Sequence, residues 1–246
     1  MVFVSIRPQL LARPTMGFTF KQFHVNDDQC GMKVSTDSVL LGAWAQVEEG
    51  ETILDIGTGS GLLSLMASQR GAGHVLGIEL DGSASQQAQA NVAASPWPTQ
   101  IDIVNTGLEA FCESSANQFQ HIISNPPYFE SGLVSPCQKR GSARHGLSFE
   151  TLFRCASQLL APSGKMSLVL PTQAWLSAQQ ASQAQRLYPT RVTQVTTRPN
   201  KPVKLMLIEL SRAVTPCQTE SLLIHSEAGQ YSTSFKRLTA DFYLNG

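Results

Sequence analysis

Three glycines at alternate positions, Gly57, Gly59 and Gly61, separate a short apolar run from a helical pattern. The apolar run, residues 52–56, has the composition of a buried strand, and the helical pattern continues to Arg70. Glycines in such a turn let a ligand approach the backbone, and the helix N-terminus that follows favours a negative group. The turn therefore predicts an α/β fold with a ligand site at the end of its first sheet strand.

Strand and helix patterns alternate along most of the 246 residues. The patterns predict strands at 52–56, 74–80, 101–104, 119–124, 165–170, 192–195, 204–210 and 221–225. Helices are expected between them, and a last helical pattern at 231–243 should dock on the core. This alternation predicts a doubly wound, mostly parallel sheet in a single domain, residues 51–246, behind an N-terminal extension, residues 1–50. Within the extension, residues 1–16 have the character of a poorly ordered leader.

The composition excludes several classes of protein. A hydrophobic content of 42% and a charged content of 15% are typical of a globular chain and not of a disordered one. No apolar stretch reaches the roughly 20 residues of a membrane span, and the N-terminus lacks a signal peptide. The five cysteines are odd in number and lack zinc-site spacing, which indicates free thiols in the cytoplasm and no metal.

The zero net charge conceals an asymmetry along the chain. Residues 48–130 contain ten acids and one base, whereas residues 139–212 contain eleven bases and two acids. Such a division favours one face that accepts a polyanion such as a nucleic acid. Chance clustering of surface charges gives the same pattern, and both interpretations stay open.

A second motif, Asn125-Pro126-Pro127-Tyr128, follows the apolar run 119–124. The two prolines make a stiff loop at the carboxyl edge of a strand, where open α/β sheets bind ligands. The amide oxygen of Asn125 and the carbonyl of Pro126 are two hydrogen-bond acceptors, and Tyr128 adds an aromatic face. These groups predict a socket for a planar group that carries an NH₂. A plain strand-ending turn is the alternative, since Asn-Pro often begins turns.

Two acidic residues accompany the glycine turn. Asp55, directly before it, supplies a carboxylate that can face a cationic amine, and Glu79 ends the second strand, where it can accept from both ribose hydroxyls. The turn is not a phosphate-binding P-loop, since no Lys-Ser/Thr pair follows, and its third glycine comes too early for the dinucleotide fingerprint. A nicotinamide cofactor and a glycine cluster without a ligand are the alternatives.

The acid and glycine pattern resembles the class I S-adenosylmethionine-dependent methyltransferases. The resemblance implies a Rossmann-like, seven-stranded sheet and S-adenosylmethionine as cofactor. Within that class, Asn-Pro-Pro-Tyr after the fourth strand resembles enzymes that methylate planar NH₂ groups, namely adenine or guanine amines and glutamine amides. Acceptance of both N–H groups by Asn125 and Pro126 favours the pyramidal nitrogen that attacks the methyl group, with no strong base required.

Segments 18–44, 95–97, 122–128 and 231–243 together resemble the bacterial tRNA(Val) adenine-N6 methyltransferases, which modify the adenine 3′ of the anticodon. The resemblance covers residues 17–244 and implies a monomer that binds the anticodon stem-loop of tRNA, without membrane or metal. A protein glutamine methyltransferase usually has a helical N-terminal domain, for which about 50 residues leave little room. A non-catalytic, cofactor-binding RNA scaffold remains the other alternative.

The resemblance also implies roles for single residues. Residues 17–50 would pack on the cofactor site, with Lys33, Thr36 and Asp37 near the methionine end of the cofactor, although Thr36 and Asp37 also read as a plain helix cap. The remaining cofactor contacts would be Asp55, Gly57, Gly59, Gly61, Glu79, Leu80, Thr106, Gly107 and Asn125. At Gly107 many relatives carry an Asp that binds the adenine amine, so Asn105, Thr106 or a backbone group would have to replace it.

The catalytic residues by the same resemblance are Asn125, Pro126, Pro127 and Tyr128. Tyr128 would stack on the target base, supported by Phe129. Cations after the socket and near Pro202 could contact substrate phosphates: Lys139, Arg140, Arg144, Lys201 and Lys204. Solvated surface charge explains the same cations equally well.

Overall fold

The computed structural model describes residues 17–127 and 147–244. A small antiparallel hairpin, β1 (Gly17–Thr19) and β2 (His24–Asn26), begins the described chain. Within the described ranges the main sheet contains eight strands: β3 (Thr52–Ile56), β4 (His74–Glu79), β5 (Ile101–Asn105), β6 (Phe119–Ser124), β7 (Leu160–Pro171), β8 (Tyr188–Thr196), β9 (Val203–Ser211) and β10 (Gln218–Leu223). The helices there are α1 (Thr36–Trp44), α2 (Leu62–Gln69), α3 (Gly82–Ala93), α4 (Leu108–Ser114), α5 (Phe149–Leu159), α6 (Trp175–Ala184) and α7 (Thr233–Thr239).

The sheet has the strand order β10–β8–β9–β7–β6–β3–β4–β5. Only β9 pairs antiparallel with its neighbours β7 and β8, while the other pairs run parallel. The expected doubly wound, mostly parallel sheet is therefore confirmed. It has eight strands, as the sequence patterns predict, and not the seven that the resemblance implies; the pattern at 221–225 overlaps β10 at the outer edge of β8.

Helices cover both faces of the sheet. The N-terminal segment, α1, α2 and α7 enclose one cluster of buried side chains, which includes Phe20, Leu40 and Met66. Helices α4, α5 and α6 enclose the other, around Ile122 and Phe153. A parallel sheet requires such cover because both of its faces are apolar. No helix within residues 17–127 and 147–244 is long and apolar enough to cross a membrane.

Three local expectations needed correction. The short hairpin β1–β2 was not expected, since three-residue strands leave no periodic pattern. The pattern predicts a strand that begins at residue 165, but β7 already begins at Leu160 and includes Pro162, Ser163 and Gly164. The pairing of β6 with β7 shifts between Phe119 and His121, so the extra residues of β7 are accommodated as a bulge within one strand. Proline, serine and glycine are compatible with both a bulge and a turn, so the composition of residues 162–164 does not distinguish the two.

The third correction concerns the C-terminal segment, whose helix is shorter than the 231–243 pattern suggested. Ser232 caps α7 by accepting a hydrogen bond from the backbone N–H of Phe235 at 3.1 Å. Phe235 and Phe242 are fully buried, which confirms that the segment docks on the core. Tyr231 lies before the helix and stacks on Phe235 with ring centroids 4.5 Å apart.

This docking predicts the cost of removing the Phe235 ring. Phe235→Ala should lower the free energy of unfolding by about 3–5 kcal/mol, since a buried ring is lost and a cavity remains. Phe235→Leu fills part of that cavity and should cost clearly less. Urea unfolding followed by circular dichroism measures both variants, and equal costs would show that the ring is not packed as described.

Candidate active site

The ends of β3 and β6 lie side by side at the carboxyl edge of the sheet. Ile56 pairs with Ser124, and the Ser124 hydroxyl donates to the Ile56 carbonyl at 2.9 Å. The next residue of each strand is Gly57 on one side and Asn125 on the other. Because neighbouring strands are about 4.8 Å apart, the glycine turn and the Asn-Pro loop leave the sheet at adjacent positions. The structure thus brings the two sequence motifs together.

The glycine turn has the conformation that only glycine adopts readily. Gly57, Gly59 and Gly61 all have positive φ, of 72°, 56° and 81°. A Cβ built on Gly57 would meet no atom within 4 Å, and one on Gly59 would meet only the Gly57 carbonyl oxygen, at 3.9 Å. The open side of the turn therefore leaves room for a ligand beside exposed backbone.

Asp55 braces this turn from behind. Its side chain is 1% exposed, and Oδ2 accepts hydrogen bonds from the hydroxyls of Thr58 at 2.6 Å and Ser64 at 2.7 Å. The second oxygen, Oδ1, is buried without a hydrogen-bond partner in the described part of the chain. Burial raises the pKa of Asp55 to about 6, although the two hydroxyls lower it. Because Oδ1 has no partner among the described residues, it can accept a hydrogen bond from a cationic amine.

Glu79 holds the turn from the neighbouring strand. Its Oε2 accepts from the backbone N–H of Gly59 at 2.9 Å, and its Oε1 accepts from that of Asp81, also at 2.9 Å. A carboxylate offers about four acceptor positions, so two backbone donors leave capacity for ligand hydroxyls. Glu79 ends β4, which pairs with β3 on the side away from β6.

Beyond Glu79 the edge of the sheet becomes apolar. Leu80 is 74% exposed, and a Cβ at Gly107 would lie 3.4 Å from its Cδ1. The Asn105 side-chain NH₂ donates to the carbonyls of Glu79 at 2.8 Å and Leu80 at 3.1 Å, so it stiffens the loop after β4. Thr106 also binds there, through its backbone N–H to the Glu79 carbonyl. The exposed Leu80 side chain next to Gly107 offers an apolar surface on which a planar ring can pack.

The N-terminal segment is tied to the glycine turn through α3. Asn91 is buried, and its NH₂ donates to the carbonyls of Asn26 and Ser60, both at 2.8 Å. Its Oδ1 accepts from the backbone N–H of Asn26 at 3.0 Å. Gln87, one helical turn earlier, accepts from the Gln29 backbone at 2.7 Å. Sequence reasoning missed both side chains, because α3 contains several similar amides and nothing marks which ones are buried.

The residues expected near the cofactor's methionine end lie where this segment turns into α1. Lys33 is exposed, and its Nζ donates to the Asp27 carbonyl at 2.5 Å and pairs with its carboxylate at 3.6 Å. Burial raises the pKa of Asp37, while the charge of Lys204 lowers it. The interpretation of Thr36 and Asp37 as the helix cap is wrong. Ser35 is the cap, since its hydroxyl accepts from the Ser38 N–H at 3.3 Å.

Asn125 is held by α1. Its side chain is 7% exposed, and its NH₂ donates to the Ser38 hydroxyl at 2.8 Å. The Ser38 hydroxyl lies 3.2 Å from that of Ser35, so a short chain of hydrogen bonds fixes the Asn125 amide. With the NH₂ bound to Ser38, Oδ1 is the group that can accept from a ligand. Pro126 is buried beside it, and Pro127 is exposed.

Of the other residues expected at the site, Lys201 and Lys204 lie in the described part of the chain. Tyr128, Phe129, Lys139, Arg140 and Arg144, like the leader 1–16, lie outside the described residues. Lys201 is exposed in the turn between β8 and β9, and Lys204, also exposed, is near enough to affect the charge of Asp37. Among the described side chains, no three acids, histidines or cysteines are grouped as metal ligands would be.

Close relatives have an established name. A protein of Pectobacterium carotovorum named tRNA1(Val) (adenine(37)-N6)-methyltransferase is 45% identical over 232 residues, which are 93% of this chain and 94% of the relative. Proteins of the same name from Shewanella loihica and Bacteroides fragilis are 44% and 42% identical over 93% and 92% of this chain, and 99% and 97% of their own lengths. The chain belongs to this family.

Other comparisons agree with the methyltransferase fold. The sequence profile of the ribosomal protein L11 methyltransferase (PrmA) family matches residues 33–125. A predicted O-methyltransferase from Agrobacterium tumefaciens superposes with a TM-score of 0.67 at 20% identity, over 84% of this chain and 96% of that one. The L11 methylase of Lactobacillus delbrueckii gives 0.53 at 19%, over 72% and 77%. The family uses S-adenosylmethionine. The open glycine turn, Glu79, the exposed Leu80 and Asp55 Oδ1, which has no hydrogen-bond partner among the described residues, all fit that cofactor.

The burial of Asp55 predicts a pH dependence of stability in the cofactor-free protein. Its pKa of about 6 exceeds the ordinary 3.8, so between these values the folded state holds the proton more tightly than the unfolded chain. Stability should therefore fall as pH rises from about 4 to 6, by about 3 kcal/mol in total. Asp55→Asn is neutral throughout and should lack this component. Urea unfolding across this pH range compares the two proteins, and parallel curves would contradict the assignment.

Proposed function

We propose that this protein transfers a methyl group from S-adenosylmethionine to the N6 amine of adenine 37 in tRNA1(Val), the reaction for which its relatives are named. One observation carries the proposal: Asn125 leaves β6 next to Gly57, with its NH₂ held by Ser38. That arrangement supports a hydrogen-bond acceptor fixed beside the cofactor turn, which is what an exocyclic amine requires.

The amine needs orientation more than it needs a base. An adenine N6 lone pair is delocalised into the ring, which makes the nitrogen a poor nucleophile. Asn125 Oδ1 and the Pro126 carbonyl would each accept one N–H and so favour a pyramidal nitrogen. Bound S-adenosylmethionine supplies an electrophilic methyl group. An amine that received this methyl group, with the S–C electron pair left on sulfur, would carry a positive charge and would then lose one proton to solvent.

The cofactor would lie along the sheet edge from Glu79 to Asn125, a width of two strand spacings or about 10 Å. Glu79 would accept from the ribose hydroxyls, and Leu80, Thr106 and Gly107 would contact the adenine. The amino-acid end would face the glycine turn, with Lys33, Thr36 and Asp37 on its other side. In the absence of an acidic residue at Gly107, the Asn105 side-chain oxygen is the acceptor we assign to the adenine amine.

The RNA would approach from the side of the Asn-Pro loop. Adenine 37 must leave the stack of the anticodon loop before its amine can reach Asn125. We assign base stacking to Tyr128 and Phe129, and phosphate contacts to basic residues of the chain: Lys139, Arg140, Arg144, Lys201 and Lys204. We further propose that the protein acts as a monomer in the cytoplasm.

The direct test uses labelled cofactor. Purified protein, S-adenosyl-[methyl-³H]methionine and tRNA from a strain that lacks its own enzyme are incubated, and the RNA is digested to nucleosides. Label should appear in N6-methyladenosine from tRNA1(Val), and Asn125→Ala should reduce it by about 100-fold or more while RNA binding persists. Label in protein, or in another nucleoside, would refute the proposed substrate, and an active Asn125→Ala protein would refute the mechanism.

The role of Ser38 gives a second prediction. Ser38→Ala removes the group that orients the Asn125 amide, so kcat should fall by about 10-fold with little change in KM for either substrate. Ser38→Thr keeps the hydroxyl and should retain most of the activity. Steady-state kinetics with the anticodon stem-loop measure both variants. If Ser38→Ala kept the wild-type kcat, the hydrogen bond would have no part in positioning Asn125.

A further inference from the structure

A cavity of about 490 Å³ opens on the surface beside α1. Six of the residues that line it are aromatic or aliphatic: Phe18, Val34, Val39, Tyr231, Tyr243 and Leu244. We call this the aromatic cavity. Three of them are unusually exposed for their type, Phe18 at 38%, Tyr231 at 42% and Leu244 at 58%. An exposed apolar patch of this kind usually marks a binding surface.

The rings of Phe18, Tyr231 and Tyr243 form one continuous wall of the cavity. The centroid of Tyr243 lies 5.7 Å from that of Phe18 and 6.4 Å from that of Tyr231. Two fully buried rings hold the wall in place: Phe20 packs against Phe18 and stacks on Tyr243, and Phe235 stacks on Tyr231. A binding surface made of fixed rings loses little conformational entropy when a ligand arrives.

The lining of the cavity favours a neutral planar ligand. Its described polar members are the hydroxyl-bearing side chains Thr19, Ser35, Thr36, Tyr231 and Tyr243, and none of the described lining residues carries a carboxylate or an ammonium group. An ion would therefore find no opposite charge there. A heterocyclic ring fits both the aromatic and the hydroxyl-bearing residues of the cavity, because it can stack on the rings and exchange hydrogen bonds with the hydroxyls.

Hydrogen bonds link the cavity to the proposed catalytic loop. Ser35 lines it, and the hydroxyl of Ser35 lies 3.2 Å from that of Ser38, which in turn accepts from Asn125 at 2.8 Å. Two hydrogen bonds thus separate a ligand in the cavity from the residue assigned to the target amine. A strand of RNA with one base at Asn125 can place a neighbouring base here.

We propose that the aromatic cavity binds a second unpaired nucleobase of the substrate RNA, next to the adenine that is methylated. This inference rests on the proposed function, since it presupposes a single-stranded RNA loop as substrate. Stacking of the second base would hold the anticodon loop open and pay part of the cost of unstacking adenine 37.

The test measures RNA binding separately from turnover. The unmodified anticodon stem-loop of tRNA1(Val), with S-adenosylhomocysteine present, is titrated with protein and followed by fluorescence anisotropy. Phe18→Ala and Tyr231→Ala should each weaken binding by about 10-fold, the loss expected for one base stack. Phe18→Tyr keeps a ring and should bind nearly as the wild type does. Val214→Ala, at a side chain 80% exposed outside the cavity, is the matched control and should change nothing.

A second readout locates the base. 2-Aminopurine placed in turn at each unpaired loop position should lose fluorescence at one position besides 37 on binding wild-type protein, and should keep it with Phe18→Ala. Thermal unfolding confirms that each variant is folded.

The outcomes are distinguishable. Wild-type affinity in both Phe18→Ala and Tyr231→Ala overturns the aromatic cavity as an RNA site, even if the protein methylates tRNA normally. Loss of S-adenosylmethionine binding in these variants, with RNA binding unchanged, also overturns it and assigns the cavity to the cofactor. Absence of methyl transfer by the wild-type protein would instead refute the proposed function, whereas the binding titration would still decide the cavity.

Discussion

The parallel pairing of β3 with β6 is the constraint on which the candidate site depends. Ile56 lies opposite Ser124, and the Ser124 hydroxyl locks this register by donating to the Ile56 carbonyl. A slip of one residue would turn every side chain of the strand to the other face of a fully covered sheet, so the register is strongly specified. The glycine turn and the Asn-Pro loop therefore leave the sheet together, and the positions of both follow from core packing.

The site is completed by a segment that precedes the sheet in sequence. Asn91 joins Asn26 to the Ser60 carbonyl of the glycine turn, and Ser38 holds Asn125 from α1. These are hydrogen bonds between partly or fully buried groups, where an unmet partner is costly. Through these hydrogen bonds the segment before the sheet contacts both the Asn125 side chain and, by way of Asn91, the glycine turn.

The Asp55 carboxylate stabilises the glycine turn, but its burial makes its negative charge unfavourable. Asp55 gathers the hydroxyls of Thr58 and Ser64 on one oxygen, while its other oxygen is buried without a partner among the described residues. Such an arrangement makes the empty fold less stable near neutral pH than it would be with a neutral side chain. Binding sites commonly retain such features because a ligand supplies the missing interaction.

Sequence alone determined the features that depend on short-range chemistry. The glycine turn, the Asn-Pro loop and the exact bounds of β3 and β6 follow from local composition, because proline, glycine and apolar runs restrict the backbone within a few residues. The alternation of strands with helices likewise implied a doubly wound sheet, and the pattern at 221–225 predicted the edge strand β10 with its start three residues too late, although the bulge in β7 was not foreseen.

Only the tertiary structure decided which polar side chains complete the site. Ser38 reaches Asn125 across 87 positions of sequence, and Asn91 reaches Asn26 across 65. Neither residue differs in type from its many exposed neighbours, so no local pattern marks it. Likewise the rings of Phe18 and Tyr243 meet only because both ends of the described chain pack into the same cluster of buried side chains. Partners this distant are chosen by the packing of the core, which the order of residues specifies only through the whole fold.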